Sequence, residues 1–184
     1  GVGKTDIAHK ICLQIEAEII SADSRAVYKY LNVGTATPTS KQRSEVRYHL
    51  ISFVHPKERY SAMDFREDVD SQIKSIRSRG NLPVLVGGSR LYIKALTEGI
   101  FEGPGADEEL REKLRNKESV KLHDRLSSVD PFSAKKIHPN DKKRIVRALE
   151  VYELTGKPIS KLQNEAEPLP YDFLSVGLNK PREN

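Results

Sequence analysis

Four short apolar runs, separated by stretches of helical periodicity, constrain this chain more than any other feature. They are Glu18–Asp23, His49–Val54, Leu82–Gly88 and Phe173–Leu178. Each is rich in branched aliphatic residues and bounded by Gly, Pro or polar residues. Runs that are apolar throughout fit strands covered on both faces of a parallel sheet. Between them Ile7, Ala8, Ile11, Cys12 and Ile15 recur at helical steps, and Phe65, Val69, Ile73 and Ile76 form a second stripe ended by Gly80. Alternating strands and helices imply an α/β fold, a parallel sheet flanked by helices with right-handed crossovers.

The texture changes over residues 101–165, where no strand is read and charge dominates. Asp107–Asn116, Ser119–Ser128 and Asp141–Leu154 read as amphipathic helices separated by Asp130-Pro131 and His138-Pro139. The expected organisation is an α/β core over 1–100, a helical insertion over 101–165 and a return to the core over 166–184. No apolar stretch approaches the roughly 18 residues of a spanning helix. The single cysteine, Cys12, allows neither an internal disulfide nor a cysteine-rich zinc site. A cytoplasmic protein with no membrane attachment is therefore expected.

Gly1-Val2-Gly3-Lys4-Thr5 matches the second half of the phosphate-loop pattern G-x-x-x-x-G-K-[ST]. Its leading glycine and feeding strand would precede Gly1, so the chain reads as a fragment. Glycine lets backbone N–H groups approach phosphate oxygens, Lys4 supplies a point charge, and the Thr5 hydroxyl suits magnesium shared with the phosphates. A chance Gly-Lys-Thr at a helix start is the alternative. Asp23 closes an apolar run, at the strand end where open α/β sheets bind ligands. It could equally cap a helix beginning near Ser24. Gly87-Gly88-Ser89 follows another run, and Ser89 either caps the next helix or holds substrate. Neither the Leu82 run nor the His49 run ends in a carboxylate of the kind that assists nucleotide hydrolysis, which weakens an ATPase reading.

The net charge is +5. Between Pro131 and Arg147 stand Lys135, Lys136, Lys142, Lys143, Arg144 and Arg147 against Asp141 alone, a local surplus as large as that of the whole chain. On a helix from Asp141, an apolar stripe of Ile145, Ala148, Leu149 and Tyr152 leaves Lys143, Arg144 and Arg147 opposite. Such a face suits a phosphate backbone, or is simply solvated. The five histidines lack metal-ligand spacing.

Together these segments resemble the bacterial tRNA dimethylallyltransferase (tRNA isopentenyltransferase) family. The resemblance runs through Gly1–Thr5, Glu18–Arg25 with Val27-Tyr28, Gly34-Thr35-Ala36 with Pro38, and Tyr60-Ser61-Ala62 with Asp64-Phe65. It continues through Leu82–Gly88 with Leu91-Tyr92, Ile137–Asp141 and Arg147–Lys157. It implies a P-loop NTPase-like fold and transfer of a dimethylallyl group from dimethylallyl diphosphate to the exocyclic amine of an adenine beside the tRNA anticodon. On that resemblance Gly1, Val2, Gly3, Lys4 and Thr5 hold the diphosphate, Thr5 with Mg2+, and Asp23 accepts the amine proton. Asp23, Ser24, Arg25, Ala26, Ser89, Arg111 and the run Lys143, Arg144, Ile145, Val146 and Arg147 contact tRNA. A monomer is expected. Ala26 stands where the family usually has Gln, and Ser89 where it has Thr. A later arginine and further tRNA-binding helices of the family are missing, so these residues alone are expected to be inactive. Rival readings are an adenylate isopentenyltransferase, a P-loop small-molecule kinase and a non-catalytic RNA-binding module.

Overall fold

The computed structural model describes residues 2–31 and 37–179. They fall into two compact units, one of residues up to Glu98 together with Pro168 onward, the other Gly99–Glu167.

In the first unit α1 (Lys4–Cys12) leads into β1 (Ala17–Ala22), α2 (Ser40–Glu45), β2 (Tyr48–His49), α3 (Ala62–Ser78), β3 (Leu82–Gly87) and α4 (Arg90–Thr97). The sheet order is β2-β1-β3, all parallel. β1 is central and its Ile19, Ile20 and Ala22 are buried, as a strand covered on both faces requires. Ile19 and its neighbour Val84 face α1, where Ala8 and Cys12 meet them beside Val46, Tyr48 and Val86. On the other face α3 buries Phe65, Val69, Ile73 and Ile76, and Phe65 stacks on Tyr92 of α4 at 4.1 Å between ring centroids. Ser61 and Asp64 close a reciprocal capping box that starts α3.

Three expectations need correction. The run His49–Val54 forms a ladder only at its start, because Leu50 and Ser52 take left-handed backbone (φ 58 and 53) that ends an extended strand. The chain then folds over residues 26–28: Ser52 and Phe53 N–H donate to the Ala26 and Val27 carbonyls, and Val54 bridges Tyr28. Phe173–Leu178 forms no strand among the described residues, and Leu174 is 93% exposed, since a strand exists only through a hydrogen-bonded neighbour. Finally, α1 buries Ala8, His9 and Cys12, while Ile7, Ile11 and Ile15 are exposed. One residue along a helix turns the side chain by about 100°, so a broad apolar stripe does not say which edge meets the sheet.

The second unit comprises α5 (Glu108–Arg115), α6 (Ser119–Val129), α7 (Pro131–Lys136), α8 (Lys142–Thr155) and α9 (Ile159–Asn164). The three expected helices match α5, α6 and α8; α7 and α9 are shorter additions. Leu114, Leu122, Leu126, Ile145, Leu149 and Val151 form its core. Asp107, Asp130 and Asp141 cap α5, α7 and α8. The Asp130 carboxylate also accepts from the Ser160 N–H and hydroxyl, fastening the start of α9 to the start of α7.

Candidate active site at the carboxyl end of the sheet

α1 begins on Gly3, whose backbone is left-handed (φ 78), a conformation glycine alone adopts without penalty. No side chain caps this helix. The N–H groups of its first turn therefore lack intrahelical acceptors and face outward as anion donors. Lys4 is exposed, and its Cε and Nζ lie alongside Gly88, 3.9 Å from where a β-carbon there would stand. Thr5 sits half-buried on the first turn.

β1 and β3 leave the sheet as a joined pair. A β-carbon on Gly87 would come within 2.1 Å of the Ala22 carbonyl oxygen, so the close approach requires glycine. The Ser89 N–H donates to that same carbonyl at 3.2 Å, and the Ser89 Oγ accepts the Ser24 N–H at 2.8 Å. Ser89 thus does not cap α4 through its side chain, the alternative left open by the sequence. Asp23 caps no helix either, because residues 24–27 form a turn. Its Oδ1 accepts the N–H groups of Arg25 at 2.8 Å and Ala26 at 3.3 Å, an Asx-type turn that fixes the carboxylate. Its Oδ2 makes no hydrogen bond among the described residues. Lys4, Gly88, Ser89, Ser24 and Asp23 therefore form one continuous edge. Tyr92 lies close behind: burial, with the charges of Tyr28, Asp64 and Asp23, pushes its hydroxyl up to about 12.

Ser24 and Arg25 are exposed on this edge, but Ala26 is buried, with its N–H on Asp23 and its carbonyl on Ser52. That packing turns the Ala26 side chain into the core, away from the exposed Ser24 and Arg25. Gly1 and Gly34-Thr35-Ala36 lie outside the described residues. No cluster of three or more His, Cys, Asp or Glu able to hold a metal occurs among the described residues.

In the second unit the side chains of Ile145 and Val146 are buried in the core. Lys143 and Arg144 are exposed. Arg111 and Arg147 both turn to Glu150, which is wholly buried. The Arg111 Nε and Nη2 donate to it at 2.8 and 3.0 Å, the Arg147 Nη1 at 2.6 Å and the Asp107 N–H at 2.9 Å. Burial pushes the Glu150 carboxyl up, but these bonds outweigh it and hold it below the usual range. Glu150 escaped the sequence reading. Its signal was a lone acid embedded in the buried run Ala148-Leu149-Glu150-Val151.

A glycine-led helix start with a lysine, set at the carboxyl end of a parallel sheet whose connections are helical, defines a P-loop-type α/β protein. The IPP transferase family model matches residues 26–184, and the chain belongs to that family. Among curated relatives, the tRNA dimethylallyltransferase of Thermodesulfovibrio yellowstonii is 46% identical over 99% of this chain and 59% of its own length. That of Thermotoga petrophila is 50% identical over 90% and 55%. The chain thus spans somewhat over half the length of these relatives. The tRNA isopentenylpyrophosphate transferase of Bacillus halodurans aligns at 39% identity and a TM-score of 0.54, over 86% of this chain and 54% of its own. A eukaryotic dimethylallyltransferase acting on tRNA aligns at 28% identity and a TM-score of 0.76, over 92% and 43%.

Proposed function

We propose that the protein transfers a dimethylallyl group from dimethylallyl diphosphate to the N6 amine of the adenine adjacent to the anticodon in tRNA. The observation that carries this reading is the single edge shared by the α1 phosphate cradle and the Asp23 carboxylate, bridged by the Ser89–Ser24 hydrogen bond. In the reaction the allylic C–O bond breaks, the N6–carbon bond forms, diphosphate departs as a polyanion and the amine proton must leave. Val2, Gly3, Lys4 and Thr5, with Gly1, receive the developing phosphate charge through backbone N–H groups and the Lys4 ammonium. Asp23 Oδ2 receives the proton, since Oδ1 is already occupied by two N–H groups. A magnesium ion held largely by diphosphate oxygens needs only one or two protein oxygens, which the Thr5 hydroxyl fits; bound, it would neutralise the leaving group.

Ser24, Arg25 and Ser89 border the base on this reading, and Lys143 and Arg144 of the unit Gly99–Glu167 meet the tRNA backbone. The adenine must leave its stack to reach Asp23, which an anticodon loop permits at low cost. The protein acts as a cytoplasmic monomer. Labelled dimethylallyl diphosphate offered to the full-length protein with either unmodified tRNA or AMP tests the reading. Label is expected in tRNA; label in AMP would make it an adenylate isopentenyltransferase, and phosphoryl transfer from ATP would make it a kinase.

A further inference from the structure

In α7 the small residues Ser133 and Ala134 are buried, while Phe132 turns outward at 51% exposure. The Lys136 ammonium sits 4.0 Å from the centre of its ring, and Lys135 is exposed beside it. That ammonium covers one face of the ring, and the rest of the half-exposed ring is open apolar surface beside positive charge.

Two features make this surface suitable for a polyanion with aromatic parts. The first is electrostatic. The neighbouring acids are turned to other work: Asp130 is buried under four bonds from Ser133 and Ser160, and Asp141 caps α8 and pairs with Arg144. Lysine and arginine in the window are thus left in excess. The second is rigidity. Asp130 pins Ser133, directly after Phe132, and His123 Nε2 bridges the carbonyls of Ala134 and Ile137 at 3.1 Å each. These bonds fix the backbone that carries Phe132, so less freedom is lost when something stacks on its ring.

We propose that Phe132, with Lys135 and Lys136, is a stacking platform for an unpaired base of the RNA substrate. The face of the ring turned away from Lys136 takes the base, and the two ammonium groups take the flanking phosphates. This rests on the reading of tRNA as substrate and adds a contact outside the residues 143–147.

These 184 residues contain no tryptophan, so Phe132→Trp places a reporter on the platform whose emission is read against the unsubstituted protein. Unmodified anticodon stem-loop RNA is expected to quench its emission. Phe132→Ala is expected to weaken binding of that RNA roughly tenfold at every salt concentration, within the range for one lost stacked base. The slope of log affinity against log salt should not change. Lys135→Gln with Lys136→Gln should instead flatten the slope by about 1.5. Circular dichroism should be the same for every variant, since the substituted side chains are exposed. RNA bound with native affinity by Phe132→Ala, and without quenching of the Trp variant, would overturn the platform and leave the tRNA reading standing. No RNA binding by the unsubstituted protein would remove both. Quenching that follows protein concentration in the absence of RNA would overturn the platform in favour of self-association.

Discussion

Asp23 shows how a carboxylate acquires a direction. Its Oδ1 is spent on the Arg25 and Ala26 N–H groups, so the remaining oxygen is the one that can take a proton. Asp23→Ala in the full-length protein should lower turnover by about 10²–10⁴, the range for losing a general base, with diphosphate affinity retained. Single-turnover assays beside equilibrium binding check this; unchanged turnover would end the proton-acceptor role. Gly87 answers a different demand. Gly87→Ala drives a methyl into the Ala22 carbonyl, and overpacking of this kind costs typically 1–3 kcal/mol. Its melting temperature should fall and Ser24 amide exchange should quicken, because the clasp between the two strand exits opens.

At the scale of elements, α8 carries two kinds of arginine and lysine that its sequence spacing does not separate. Lys143 and Arg144 face solvent, whereas Arg147 is bonded to Glu150 and to the Pro104 carbonyl. Lys143→Gln with Arg144→Gln should weaken tRNA binding and lower its salt slope by about 1.4–1.8, with little change in melting. Arg147→Gln should chiefly destabilise, since it strips a partner from a buried carboxylate. Salt titrations and thermal melts of the two variants check the division; a slope lowered as much by Arg147→Gln would reject it. The short exit strand β2 teaches the same lesson. Residues 50–54 are as apolar as a strand, yet left-handed backbone at Leu50 and Ser52 diverts their N–H groups to the 26–27 carbonyls.

Over the whole molecule, each unit is held by a buried carboxylate with basic or hydroxyl partners. In the first, Arg79 hydrogen bonds, with Asn81 and His49, outweigh burial and bring Glu18 down to about 2 from an ordinary value near 4.5. In the second, Glu150 and Asp130 are also held low, their hydrogen bonds outweighing burial. A depressed carboxyl stabilises the fold above its unfolded value, and that contribution is lost as pH falls toward the folded one. Melting temperature should therefore be flat from neutrality to about pH 5 and fall steeply from about pH 4.5 toward 2. Glu18→Gln should flatten the part of this fall that belongs to the first unit. Circular dichroism melts across pH test it; a fall already under way between pH 7 and 5 would point to other groups.

Much of the candidate site is legible in the amino-acid order because its parts are local. A glycine before Lys-Thr permits the left-handed turn that starts α1, and an aspartate closing an apolar run lands at a strand end. In the second unit α5, α6 and α8 announce themselves by 3.6-residue periodicity, α5 and α8 also by their capping aspartates, whereas the short α7 and α9 do not. What remained hidden depends on partners distant in sequence. Ser89 meets Ser24 across 65 positions, Arg111 meets Glu150 across 39, and Phe173–Leu178 makes no ladder for want of a hydrogen-bonded neighbour. Periodicity states that a residue has a face, while only packing states what that face meets. Thus Ile7 and Ile11 remain exposed, and Arg147 is committed inward. A buried charge must find its counter-charge wherever the folded chain brings one.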